Sequence, residues 1–157
     1  MIVVGFTGTR KGMTHEQCEA VAFLLDATGP FTGALHGDCV GADAQFHELV
    51  ADRGMRIFLH PGPDGPWRAH CTRGLPFVAP EQPFTKRNQT IVGGCHVLVA
   101  VSGTAHEPRP GRGQGTWSTV RYARRIGRAV YIVWPDGSFT FEANRRPATG
   151  SALTLGV

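Results

Sequence analysis

Cysteine is sparse and scattered. Cys18, Cys39, Cys71 and Cys95 form no CxxC pair, which argues against a structural zinc site or a disulfide framework. His60, His70 and Cys71 share no ligand spacing, and neither a metal nor a cofactor is expected. No apolar run approaches the roughly 20 residues that cross a bilayer. The chain begins directly with a strand-like run, without a basic leader or small-residue cleavage site, so a cytoplasmic protein with no membrane partner is expected. Internal repeats and low-complexity tracts are absent, as is any basic stripe interleaved with aromatics. Acidic residues are also the minority, 12 against 16 basic ones. The resulting charge of +4 comes almost entirely from arginine, whose planar fork suits phosphates and carboxylates.

What is present is enough for one domain: 157 residues, 41% of them hydrophobic. Val3 to Phe6 is a continuous apolar run, the pattern of a strand buried on both faces. Thr14 and Gln17 make a capping box, after which Cys18, Val21, Ala22 and Leu25 recur at helical spacing. Ala34–His36 reads as a second strand. A helix follows from Ala42 with Phe46, Leu49 and Val50 on one face, and Arg56–His60 reads as a third strand. The stretch from Asp64 to Pro83 is rich in Pro and Gly without a period, as binding loops often are. A helix from Pro83 to Val92, a strand Val97–Val101, a helix capped by Thr116, and a strand Val130–Val133 complete the alternation. Phe139 to Phe141 can add an edge strand. Strands alternating with helices predict an α/β fold: a doubly wound parallel sheet of about five strands, helices on both faces, in the order 3-2-1-4-5 counted along the chain. The expected boundaries are a domain over 1–137 and a C-terminal extension over 138–157.

Three glycine-rich turns fall at strand ends: Gly5-Phe6-Thr7-Gly8-Thr9-Arg10, His36-Gly37-Asp38-Cys39-Val40-Gly41-Ala42-Asp43, and Gly111-Arg112-Gly113-Gln114-Gly115-Thr116. Such turns let a ligand approach the backbone, and the helix that follows offers N–H groups to an anion. In open α/β sheets ligands bind beyond the carboxyl ends of the strands, where the order reverses. A phosphate-bearing ligand is therefore expected there.

These phrases, with Lys86-Arg87-Asn88 ahead of the strand Val97–Val101, resemble the SLOG superfamily. That group unites the DNA-processing Smf/DprA Rossmann domain, the "lonely guy" cytokinin-activating phosphoribohydrolases and the small YspA/YpsA-type proteins. The last, with their HGG-x-x-GAD signature, look most similar, and the resemblance runs from Ile2 to about Val133. It implies a Rossmann-like fold, a nucleotide or nucleotide-derived ligand and a homo-oligomer. The phosphoribohydrolases carry a glutamate in the motif PGG-x-GT-x-x-E; here Thr119 stands in its place. A hydroxyl cannot act as a carboxylate base or stabilise an oxocarbenium-like centre by charge.

Gly8, Thr9, Arg10, Gly113, Gln114, Gly115 and Thr116 are the expected phosphate residues, Gly37, Gly41 and Asp43 the sugar side, and Arg87 and Asn88 added contacts across the cleft. Asp43, in the first turn of a helix, is stabilised there by the dipole alone. It also suits ribose hydroxyls or glycosidic cleavage, and Asp38 in the same turn can take either role. Trp67 and Trp117 can each stack on a base or fill the core. The leading expectation is a protein that binds, senses or sequesters a nucleotide. The alternatives are an N-glycosidase or phosphoribohydrolase acting on nucleoside monophosphates through Asp43 or Asp38, and, third, a binder of single-stranded nucleic acid.

Overall fold

The central strand explains the rest of the architecture. In the computed structural model, which describes residues 1–112 and 115–143, β1 (Val3–Gly8) lies between β2 (Gly33–His36) and β5 (Val97–Val101), parallel to both. Its alternate side chains feed two cores. Val4 and Phe6 face α1 (His15–Ala27) and α2 (Ala42–Asp52), where Val21, Leu24, Phe46 and Val50 are buried. Val3, with Leu98 and Ala100 of β5, faces α3 (Phe84–Gly94) and α4 (Thr116–Arg125), where Ile91, Val92, Trp117 and Val120 are buried. The continuous apolar run Val3–Phe6 is thus accounted for by helices on both faces.

β3 (Arg56–Leu59) pairs with β2, and β6 (Ala129–Val133) with β5, both in parallel. Two short strands lie outside them: β4 (Phe77–Val78), parallel to β3, and β7 (Phe139–Glu142), antiparallel to β6. The sheet therefore has seven strands rather than about five, and its order, β4-β3-β2-β1-β5-β6-β7, differs from the one expected by a further strand at each edge. The reason lies at the edges. β4 is two exposed residues in a Pro/Gly-rich segment, too short to show a period. β7 returns through a tight turn in which Gly137 N–H donates to the Trp134 carbonyl (2.8 Å).

The capping box at α1 forms as read: Thr14 Oγ1 accepts from Gln17 N–H (3.1 Å) and Gln17 Oε1 from Thr14 N–H (3.0 Å). At α4 the cap is Gly115, at φ 76°, and Thr116 is the first helical residue instead of the cap. No helix among the described residues is long and apolar enough to cross a membrane.

Candidate functional site

The order reverses between β1 and β5, and a cavity of about 650 Å³ opens there, at the carboxyl ends of the strands. Gly8, Thr9 and Arg10 line it from β1, and Gly37 and Asp43 from β2 and the start of α2. Arg87 and Asn88 reach it from α3, and Gly115 and Thr116 from the start of α4. Residues distant in sequence meet because each follows a strand of one parallel sheet. Gly41 packs against the Arg10 backbone without lining the cavity, and Asp38 is fully buried beneath it. Gly113 and Gln114 lie outside the described residues. Lys11, Phe84 and Gly103-Thr104, which the sequence reading did not single out, also line the cavity. Gly103-Thr104, just past the end of β5, was open to the same strand-end rule; half-exposed Phe84 carried no signal.

Two carboxylates share the turn and differ completely. Asp38, at φ 55°, is clamped. Its Oδ2 accepts from Arg68 Nε and its Oδ1 from Cys71 N–H (2.9 Å). Burial works to raise its pKa, but Arg68 and the Cys71 N–H outweigh it and hold the carboxyl below its usual range. It fastens the 64–83 segment to the site, aided by Val40 N–H donating to the Trp67 carbonyl (2.9 Å). Asp43 is buried in the cavity wall. Its Oδ2 accepts from the N–H groups of Gly37 (3.1 Å) and Cys39 (3.2 Å), while Oδ1 accepts no hydrogen bond among the described residues. Burial pushes its pKa up to about 6, against the pull of Arg87 and these N–H groups.

Arg87 is buried and largely committed to the chain. Its Nη1 donates to the carbonyls of Gly37 (2.6 Å) and His60 (3.2 Å), and its Nε to Asn88 Oδ1 (2.7 Å). Arg10 is exposed, its guanidinium carbon 4.5 Å from the Trp67 ring centre and 5.5 Å from that of Phe84. Arg10 is thus an exposed cation held against aromatic faces, whereas Arg87 is a strut. The arginines of α4 are also engaged. Arg121 donates to the carbonyls of Pro108, Arg109 and Arg112, and Arg124 pairs with Glu107 and Glu142. Arg112 and Thr119 line a smaller side cleft of about 280 Å³ between α3 and α4, where the Thr119 hydroxyl donates back to the Gly115 carbonyl (2.7 Å).

Below the site runs a buried relay. Asp38 N–H donates to His36 Nδ1 (3.1 Å), which leaves the His36 proton on Nε2 to meet His47 Nδ1 (2.9 Å). His47 Nε2–H in turn donates to the Arg73 carbonyl (2.8 Å). Burial first, then His47, pushes the His36 pKa down to about 3.

Asp43 and His36 therefore act oppositely with pH. The Asp43 pKa is raised from 3.8 to about 6, so the folded chain holds a proton that the unfolded one releases. The stability this gives is complete below pH 3.8 and is lost as pH rises through 6. The His36 pKa is depressed from 6.5 to about 3, and stability falls as pH drops through that window. Asp43→Asn should stabilise the fold by about 1–2 kcal/mol above pH 6, part of the ~3 kcal/mol that the shift represents, since the new amide N–H₂ must find partners. Its advantage should vanish near pH 4, and its acid destabilisation should be steeper than that of the parent. Urea titrations at several pH values would read both slopes.

A mostly parallel sheet wound on both faces, with its cavity at the switch point, is a Rossmann-like fold. Solved structures that share it include the following two. One is TM1055, with TM-score 0.58 and 15% identity over 83% of this chain and 72% of that one. The other is DNA processing protein A (DprA) from Streptococcus pneumoniae, with TM-score 0.62 and 19% identity over 84% of this chain. The chain spans 50% of the DprA chain. No protein-family model matches the chain, and no curated protein matches it in sequence.

Proposed function

We propose that this chain is a nucleotide-binding protein of the SLOG type, akin to the small YspA-like group, which senses, sequesters or carries its ligand. The observation that supports this best is the convergence of the turns after β1 and β2 and the start of α4 on one cavity at the switch point. Its size lies within the 300–1,000 Å³ usual for small-molecule sites. On this reading the phosphate sits between Gly8–Arg10 and the first turn of α4, where backbone N–H groups and the helix dipole favour an anion. Asp43 Oδ1 takes a ribose hydroxyl, and Arg10 neutralises the phosphate.

Thermal-shift screening against mononucleotides, cyclic nucleotides and ADP-ribose derivatives tests it, with stabilisation by at least one expected. Arg10→Ala should weaken that binding by about 1.5–3 kcal/mol, the range for a hydrogen bond to a charged group. Stability should change by no more than about 1 kcal/mol, the size of an exposed cation–π contact. No response to any ligand, or unchanged affinity in the variant, would remove the proposed site.

One observation favours a second reading, N-glycosidic cleavage of nucleoside monophosphates. Asp43 is a cavity-wall carboxyl with a pKa pushed up to about 6 and one free oxygen, suited to moving a proton near neutrality. The assay is release of free base from nucleoside monophosphates. Asp43→Asn, which keeps an acceptor for the two backbone N–H groups, should abolish any turnover found.

A further inference from the structure

Two large aromatic side chains at this cavity have no part in the hydrophobic core. Trp67 is 47% exposed and Phe84 37% exposed. Neither joins either core cluster, whereas Trp117 is buried in one of them. The backbone that carries Trp67 is anchored, and Phe84 is packed against the chain. The Trp67 carbonyl accepts from Val40 N–H, and the next residue, Arg68, is locked onto Asp38. One edge of the Phe84 ring lies against Gly62, where a Cβ would fall 2.6 Å from the ring carbon Cδ1. The guanidinium of Arg10 lies 4.5 Å from the Trp67 ring centre and 5.5 Å from that of Phe84, which the Arg87 guanidinium also approaches, at 5.4 Å.

A guanidinium is flat and stacks on aromatic faces, and the other common flat group that does so is a nucleobase. Arg10 is exposed and has no carboxylate partner among the described residues, so the face it covers can be exchanged. We infer that Trp67 and Phe84 are the base-stacking platform of this site, so that its ligand is a base-bearing nucleotide and not a base-free sugar phosphate. The inference rests on the nucleotide reading above. The base takes the ring faces while Arg10 turns to the phosphate, so one cation serves two positions. Stacking tolerates any base, which predicts selectivity for the presence of a base over its identity.

The test compares AMP, GMP, CMP and UMP with ribose 5-phosphate by calorimetry on the intact chain and on Trp67→Ala and Trp67→Phe. Loss of one stacking partner corresponds to roughly 5- to 150-fold in affinity. The nucleotides should bind at least about 5-fold more tightly than ribose 5-phosphate. Trp67→Ala should remove most of that preference, Phe84 remaining, while leaving ribose 5-phosphate unchanged, and Trp67→Phe should keep most of it. Nucleotide binding should also quench indole fluorescence in the parent, and less so in Trp67→Phe. Equal affinity for ribose 5-phosphate and the nucleotides, or an equal loss for both in Trp67→Ala, overturns the platform and leaves the phosphate site standing. If neither class binds, the phosphate site fails and the platform with it.

Discussion

Arg87→Met should cost the fold about 3 kcal/mol, because one buried and one part-buried carbonyl lose their donor, the first at roughly 1–3 kcal/mol and the second at less. Methionine nearly fills the volume, so the loss reports hydrogen bonding and charge more than a cavity. Arg87 Nη1 is shared between the Gly37 carbonyl at 2.6 Å and the His60 carbonyl at 3.2 Å, which ties the turn after β2 to the end of β3. The substitution has a second effect through Asp43. Arg87 is the foremost influence lowering the Asp43 pKa against burial, so without it the carboxyl protonates more readily in the folded state. The Arg87→Met variant should therefore lose more stability at pH 8 than at pH 5. Adding Asp43→Asn should restore part of the loss at pH 8 and almost none at pH 5. Urea unfolding of the single and double variants at both pH values measures this coupling. A loss below about 1 kcal/mol, independent of pH, would mean that water replaces the guanidinium, and that Arg87 is free to act on a ligand.

How far the sequence discloses such roles depends on the range of the interactions. Continuous apolar runs such as Val3–Phe6 and Val97–Val101 can be read because a strand covered on both faces leaves no room for polar alternation. β4 cannot, since Phe77–Val78 is held by pairing with Phe58 and Leu59 and not by any pattern of its own. The position of the site follows from the strand-end rule, which brings Arg10, Asp43, Arg87 and Thr116 to one cavity. The role of each residue there does not follow from that rule. Asp38 and Asp43 are near neighbours in one turn. Only the fold shows that Arg68, thirty residues on, occupies the first and leaves an oxygen of the second free. Arg87 reads as a phosphate clamp until its carbonyl partners on two other segments are seen. Phe84 gave no sign, because a hydrophobic residue near a helix start looks the same whether it packs inward or lines a cavity.

Gly41→Ala should be among the most damaging single methyls at the described glycines. Gly41 caps α2 at φ 88° and ψ −125°, a conformation that residues with a Cβ essentially do not adopt. Strain is only half of the cost. A Cβ there would fall 2.5 Å from the carbonyl carbon of Arg10 and 2.8 Å from its Cα, which are backbone atoms that cannot rotate away. That backbone is itself tethered, since the neighbouring Thr9 carbonyl accepts from Ala42 N–H (3.0 Å) and Gly12 N–H (3.2 Å). Relieving the clash must pull the turn after β1 off the start of α2, which are the two segments that form one wall of the cavity. A destabilisation of about 3–4 kcal/mol is expected, at the upper end of ordinary point substitutions, together with loss of any nucleotide-dependent thermal shift. Gly54→Ala separates strain from clash. Gly54 has φ 65° at the end of α2, with nothing within 4 Å of the added Cβ, so only the left-handed conformation is penalised, at about 1–2 kcal/mol. Gly54→Ala should keep its ligand response at this reduced stability. If both variants lose the same stability and both still respond to nucleotide, the contact between Gly41 and Arg10 does not shape the site.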